Sequence, residues 1–539
     1  MVKKIELAEM PRKELEEYAV QVSAEAEQWK QKAEVYEEQI RLMTKKKYGA
    51  SSEQSKAGEE QLNFFNEAEE ADTDTQPEPK MEQVKPPRKK KTKGAKEVKL
   101  KNIAKTVTEY TLSGEEAVCP QCGSPLAVMK KTVRKEIEII PAKVQVHEHL
   151  SYTYVCRECE KNAEHTPIIQ AKAPAPLLHG ALLSPSLMAF ILCRKFEDRT
   201  SLYKTAEDFK SYGLKLSRQN LSHWVVRTAQ QYGKQLYERM KEHLLEETYL
   251  HADETPVQVL REPGRKAESK SYMWLFANNH TSMHPIVLYH YAPSRAGDVP
   301  CEFLKGYEGI LQCDGYDGYN KVKDVVRVGC LAHVRRKFVD AEKAVKKAVK
   351  KAGALNRKSP ERKGVRYCNV LFALDARAKK IPEEERLAWK EKHIRKVLEQ
   401  FLKWAEKERE KTGPANTAIS KALKYCLNEK EYLENYFKDA RIELSNNIAE
   451  RAIRPFVMGR KNWLFCNTPK GADSSAVWYS LAITAKENGL LLFEYFNYIF
   501  EQLRGKSEKA LTKEELDELL PWSEKIPDTC RRKEPEAEA

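Results

Sequence analysis

The chain is expected to be a multidomain α+β protein, and three features of its 539 residues predict this. An N-terminal segment repeats apolar residues at alternating steps of four and three. Two closely spaced cysteine pairs follow. From Tyr249 to Cys330 the pattern changes from helical to short apolar runs separated by Gly, Pro and Asn, and it then returns to Lys/Glu-rich helix. At roughly 150 residues per domain, this length accommodates about three or four domains. Lys and Arg number 94 against 80 Asp and Glu, a formal net charge of +14, which makes nucleic acid the leading partner class. No run of about 18 apolar residues is present, so no membrane span is expected. The opening Met1-Val2-Lys3-Lys4-Ile5-Glu6 lacks the apolar stretch of an export signal, and a cytoplasmic protein is expected. The 12 cysteines are dilute in so long a chain and read as free thiols or metal ligands rather than disulfides.

Residues 1–49 are expected to form a coiled coil. Leu15, Ala19, Val22, Ala26, Trp29, Ala33, Tyr36, Ile40 and Met43 make a heptad seam with charged residues elsewhere. Lys45, Lys46 and Lys47 suit the negative end of a helix, and Gly49 suits a stop after it. The seam predicts self-association into at least a dimer; the competing reading is an amphipathic helix laid on the protein's own body. Residues 50–101 read as a disordered linker, acidic from Glu59 to Glu78 and then basic from Lys85 to Lys101. The basic half suits either phosphate contact or a solvated tether.

Residues 102–172 are expected to be a zinc-binding module. Cys119-Pro-Gln-Cys122-Gly123 and Cys156-Arg-Glu-Cys159 have equal gaps, and the segment between them alternates like strands at Val133, Ile137, Ile139, Val144 and Val146. Two tight turns, each presenting two thiolates, build a tetrahedral four-cysteine zinc site with no open position, which folds a module rather than catalyses. The other eight cysteines are expected to be buried or incidental.

Residues 173–235 are expected to be helical and to contain a helix-turn-helix. Leu202–Phe209 is amphipathic, Gly213 supplies a turn, and Ser217 is a good N-cap for a second helix. Leu221, Trp224 and Val225 suit a core. Arg218, Gln219, Asn220, Ser222 and His223 are left outward near the helix start, where they suit contact with base edges or phosphates. Any two helices joined at a glycine would share this pattern. Residues 245–339 are expected to carry short strands, 340–440 to be Lys/Glu-rich helix, and 441–505 to be helical as well. The polar tail within 506–539 is expected to fray after Trp522.

Three acids stand in unusual contexts. Asp253 lies in Tyr249–Val257, a strand flanked by further apolar residues. Asp314 ends the apolar run Gly309–Cys313. Glu450 lies in the helical stretch Ser445–Arg454, where Asn446, Asn447, Glu450 and Arg454 fall on one polar stripe. Aspartates at strand ends and a glutamate from a helix are what two magnesium ions need for phosphoryl transfer. Taken alone, the three also fit a strand-end cap, a turn residue and an ion-pair partner of Arg454, and Glu254 and Asp317 compete for the same part. His333 opens a helix in Cys330-Leu-Ala-His333-Val-Arg335-Arg336, which suits either a phosphate clamp or a soluble surface.

Together these residues resemble the transposases of insertion sequence family sixty-six, the TnpC type. The resemblance rests on Tyr48-Gly49-Ala-Ser51-Ser52-Glu53, the cysteine quartet, Ala173-Pro174-Ala175-Pro176 and Ser184-Pro185-Ser186-Leu187. It continues through Asp253-Glu254-Thr255-Pro256, Asp314-Gly315-Tyr316, His333-Val334-Arg335-Arg336 and Asn446-Asn447-Ile448-Ala449-Glu450-Arg451. Gly459-Arg460-Lys461-Asn462-Trp463-Leu464-Phe465 is its most specific string. The resemblance implies an RNase H-like catalytic domain with an Asp-Asp-Glu triad of Asp253, Asp314 and Glu450, interrupted by the helical insertion. It implies two Mg²⁺ ions (with Mn²⁺ as a substitute), structural Zn²⁺, the element's terminal repeats and target DNA as partners, accessory proteins from the same element, and a place on a prokaryotic nucleoid. His333, Arg335, Arg336, Arg454, Arg460 and Lys461 join the helix-turn-helix residues as expected DNA contacts. The chain departs from the pattern at Asp317, at Cys466-Asn467 and in its acidic linker. Two other functions fit the residues: a non-catalytic DNA-binding regulator, and an RNase H-like nuclease that never joins strands.

Overall fold

The structure, a computed structural model, describes residues 12–48, 144–155, 168–279, 281–349, 359–413, 417–506 and 511–533. The cysteine quartet and the charged segment 50–101 lie outside the described residues. Helix α1 (Arg12–Tyr48) is a single helix through the predicted seam. Val22, Ala26, Trp29, Ala33, Tyr36 and Ile40 of that seam are all exposed. Another face of α1 is covered: Val35 packs with Leu260, Ala267 and Phe465, and Glu38 accepts a 2.6 Å hydrogen bond from Gln258. Both readings of this helix therefore have a face to themselves. Strands β1 (Thr153–Val155) and β2 (Ile168–Gln170) form an antiparallel pair that flanks the second cysteine pair. The strand expected at Val144 and Val146 is not formed: both are exposed and in no strand, so alternation without a covered face failed there to hold a sheet.

Helices α2 (Pro185–Leu192), α3 (Leu202–Ser211), α4 (Arg218–Thr228) and α5 (Lys234–Leu245) come next. Ser201 caps α3 and Ser217 caps α4 through their hydroxyls. Gly213 turns the chain between them at φ +78°, a conformation that a Cβ disfavours.

A five-stranded sheet follows, from β3 (Tyr249–Gln258), β4 (Lys270–Asn278), β5 (Val287–Ala292), β6 (Gly309–Gln312) and β7 (Val325–Val328), with the short α6 (Asp298–Phe303) between β5 and β6. The spatial order is β5-β4-β3-β6-β7. β3, β4 and β5 pair antiparallel, whereas β6 and β7 run parallel to β3. β3 is central and buried through its first seven residues, although four of them, His251, Asp253, Glu254 and Thr255, are polar or charged.

The chain then runs through α7 (Leu331–Val349), α8 (Pro360–Ala378), α9 (Glu383–His393), α10 (Arg395–Thr412), α11 (Ala418–Asn428) and α12 (Lys430–Glu434). These helices share a core in which Phe338 of α7 meets Phe401 and Trp404 of α10, each at 6.0 Å between ring centroids. The insertion is thus continuous with a helix that begins directly after β7. Helix α13 (Asn447–Trp463) returns to pack on β3. Helix α14 (Pro469–Glu487) is buried almost all round, because it is sandwiched. Its Ser480 and Thr484 hydroxyls accept from Tyr289 and Val287 N–H on β5, at 2.8 and 3.0 Å, while its Trp478 donates to the Val225 carbonyl of α4 at 3.0 Å. The helix-turn-helix is therefore packed into the same core as the sheet.

After α15 (Leu492–Leu503) and α16 (Lys513–Asp517), the expected frayed tail is instead docked up to Arg532. Ile526 and Cys530 are buried, and the Cys530 carbonyl accepts from Leu491 N–H at 2.7 Å. Two apolar anchors and backbone pairing suffice for this, and neither is visible in a polar composition. Among the described residues no helix is long and apolar enough to cross a membrane.

Truncating the aromatic that joins α7 to the insertion core tests this continuity. Phe338 is fully buried, so Phe338→Ala should lower stability by about 3–5 kcal/mol, read from the urea midpoint at constant slope.

A buried carboxylate cluster

Strand register brings the first two acids together. His251 pairs with Gln312 across the parallel β3–β6 ladder, and Asp253 and Asp314 each lie two residues further along. Equal offsets put both at one height and on one side of the sheet. The Glu450 helix is fixed to the same strand by Asn446, which is buried rather than part of an exposed polar stripe. Asn446 donates to the Ala252 carbonyl at 2.8 Å and faces His251 Nδ1 at 2.9 Å, and its N–H donates to Cys330 Sγ at 3.2 Å. That clamp sets the start of α13 beside both β3 and the start of α7.

The charges of the other acids reach Asp253. Asp253 is 3% exposed. Burial and then the charges of Glu254, Asp314 and Glu450 push its carboxyl well above the usual range. Its Oδ2 and the Oε1 of Glu450 are buried without a hydrogen-bond partner. Orphaned carboxylate oxygens among like charges leave a deficit of positive charge, and hard oxygen donors of this kind fit magnesium. Glu450 Oε1 lies 3.6 Å from His333 Nδ1 and 4.0 Å from Arg336 Nη2. Burial opposes charge on His333, but Cys330, Glu450 and Asp314 outweigh it and hold the imidazole well above its ordinary range. Burial likewise lowers Arg336, with Glu450 acting against it.

The two competing acids are disposed of differently. Glu254 is engaged by Arg295 through both Nε and Nη2, the former at 2.7 Å, and accepts from Tyr319 at 2.6 Å. Burial and Asp314 raise its carboxyl to about 7, with Arg295 and Tyr319 acting against them. Asp317 is exposed at the start of a short 3₁₀ turn.

Residues that the sequence did not single out hold the Asp314 loop. Arg327 on β7 donates to the Asp314 carbonyl at 2.7 Å, is paired with Glu429 at 3.1 Å, and lies 3.7 Å over the Tyr432 ring. Tyr425 of α11 accepts from Gly315 N–H at 3.0 Å, and a Cβ at Gly315 would stand 2.5 Å from its oxygen. Insertion side chains therefore support the second aspartate. Only the bare glycine of Asp314-Gly315-Tyr316 hinted at so close an approach.

The predicted DNA contacts divide. Arg218, Gln219, Asn220, Ser222 and His223 are all exposed on the first two turns of α4. Arg335 turns away from the carboxylates and donates to Asn369 of α8 at 2.7 Å, so the structure does not bring it to the cluster. Arg454 is half-buried and Lys461 is exposed. Arg460 donates to Thr255 at 3.3 Å beside the first acidic block, and burial lowers its pKa.

Two outcomes follow. Glu429→Ala strands Arg327 in the interior and should cost about 3–5 kcal/mol by denaturant titration. A carboxyl raised on folding stabilises most at low pH and loses that contribution as pH climbs through its folded value. With chelator present, the Glu254 contribution should therefore disappear between 4.5 and about 7. Asp253→Asn should raise the neutral-pH melting temperature and shrink the difference between melts at pH 5 and 7.5.

Family models match three stretches of the chain. The model described as "zinc-finger binding domain of transposase IS66" matches residues 116–160, which span all four quartet cysteines. One described as "Transposase C of IS166 homeodomain" matches residues 35–101, including the stretch expected to be a charged tether. Among relatives in Sinorhizobium fredii (strain NBRC 101917 / NGR234), "Uncharacterized protein y4jD" is 28% identical over 431 residues, covering 77% of this chain and 80% of the relative. "Uncharacterized protein y4hP" is 28% identical over 417 residues, covering 75% and 73%. The model described as "Transposase IS66 family" matches residues 180–474, the sheet, the insertion and the Glu450 helix included, and the chain belongs to that family.

Proposed function

We propose that this protein cuts DNA at the ends of an insertion sequence and joins them to target DNA, using Asp253, Asp314 and Glu450 as its catalytic carboxylates. The observation that carries the reading is the shared field at Asp253. An acid that is buried, orphaned at Oδ2 and crowded by Asp314 and Glu450 is built for a cation. The sheet order, with one antiparallel flank and one parallel flank around β3, supports an RNase H-like core for residues 245–339 and 441–505.

Asp253, Asp314 and Glu450 would hold two Mg²⁺ ions, or Mn²⁺ in their place. Bound there, the ions would stabilise the attacking and leaving oxygens of an in-line phosphoryl transfer. Asp253 and Asp314 present their carboxylates from adjacent strands, so the sheet supplies their rigidity. Glu450 comes from a helix clamped by Asn446. His333 and Arg336 contribute positive charge beside Glu450, where a scissile phosphate would be drawn in and held. Arg454, Arg460 and Lys461 extend a basic path along α13 for the DNA backbone.

The exposed start of α4 would read terminal DNA, together with a zinc module held by Cys119, Cys122, Cys156 and Cys159. The exposed seam of α1 would pair two protomers, as holding two element ends requires. Accessory proteins of the same element would join that assembly.

Asp253→Asn and Glu450→Gln should bind end DNA as the wild type does, yet lose Mg²⁺-dependent cutting by about 10²–10³-fold or more. Retained cutting overturns the assignment. Joined products in a strand-transfer assay distinguish a transposase from a nuclease that only cleaves.

A further inference from the structure

Glu450 belongs to a second donor set of different chemistry. Among the described residues, Cys330, His333 and Glu450 form the one group of three such side chains whose ligand atoms all lie within 4.8 Å of one another. Cys330 directly precedes α7 and His333 lies three residues later, so the first turn of the helix aims both the same way. Cys330 and His333 are 1% and 7% exposed. His333 Nδ1 and Glu450 Oε1 are both buried without a hydrogen-bond partner.

The spacing is informative. At 3.6 Å, His333 Nδ1 and Glu450 Oε1 are too far apart for a good hydrogen bond. Two ligands each about 2.1 Å from one tetrahedral ion stand about 3.4 Å apart, which is close to what is seen. The Asn446 N–H reaches Cys330 Sγ at 3.2 Å and fixes where the sulfur sits. Thiolate and imidazole are poor ligands for magnesium and good ones for zinc.

We propose that Cys330, His333 and Glu450 form a binding site for zinc, separate from the cysteine quartet, and that its occupation withdraws Glu450 from the carboxylate cluster. Three protein ligands leave a fourth position open to water. Arg336, 4.0 Å from the same glutamate oxygen, must give up that contact when zinc arrives. Zinc would then inhibit DNA cutting by competing for one shared carboxylate. The inhibition rests on the role given to Glu450 above, whereas zinc binding itself does not.

The test uses the full chain, loaded with zinc, dialysed and assayed for tightly bound metal. Cys330→Ser, which keeps an acceptor for Asn446, and His333→Gln should each bind one zinc per chain fewer than wild type while retaining a cooperative thermal melt. A quartet variant, Cys119→Ser, should lose its equivalent independently. Equal zinc in the wild type and in both Cys330→Ser and His333→Gln overturns the site. In Mg²⁺-dependent cleavage of end DNA, Cys330→Ser should need at least about tenfold more added zinc for half-inhibition than the wild type. Identical inhibition overturns the competition. If no cleavage occurs under any condition but the zinc equivalent is still lost, the metal site stands and the transposase chemistry falls.

Discussion

Gathering several carboxylates in one desolvated place is the constraint around which this molecule is built. Like charges at close range repel more strongly as water is excluded, and burial adds its own penalty to each. At Glu254 the excess is met by Arg295, and Tyr319 donates a hydrogen bond there. Asp253 Oδ2 and Glu450 Oε1 have no hydrogen-bond partner, and His333 and Arg336 lie 3.6 and 4.0 Å from the latter. A fold gains nothing in stability from such an arrangement, so its value lies in what the charges attract.

Much of the surrounding architecture serves to keep those acids from relaxing apart. The central position of β3 denies Asp253 any route to solvent. Asn446 joins β3, α13 and the start of α7 through three contacts, so the Glu450 helix cannot slide without breaking buried hydrogen bonds. On the other flank, Arg327 fixes the Asp314 carbonyl while Glu429 and Tyr432 fix Arg327. The helical insertion thus does more than separate two parts of a sheet domain in sequence. Its own core extends through Phe338 into the helix that carries His333 and Arg336, and its Tyr425 touches the backbone beside Asp314.

The overlap of hard and soft donors at Glu450 has a simple origin. A helix that begins directly after β7 must start near the acids, because β7 lies beside β6, which ends two residues before Asp314. Any thiol or imidazole on that first turn is then within reach of the same glutamate. One carboxylate can serve only one ion geometry at a time.

A good deal was legible in the sequence. The heptad steps of residues 15–43, the Ser217 cap with its outward Arg218-Gln219-Asn220, and the strand contexts of Asp253 and Asp314 all follow from local rules of spacing, capping and burial. Such rules act within a few residues and leave a periodic trace. The involvement of Arg295, Arg327, Tyr425 and Glu429, the turning of Arg335 toward Asn369, and the burial of Asn446 left no such trace, since each depends on a partner tens to hundreds of residues away. The docked tail belongs with them: Ile526 and Cys530 are isolated apolar residues that are buried, and the turn carrying Cys530 packs on α15. Local periodicity fixed which elements form. Which side chains meet was decided by long-range packing, because contact free energy between distant segments depends on shapes that a linear pattern does not encode.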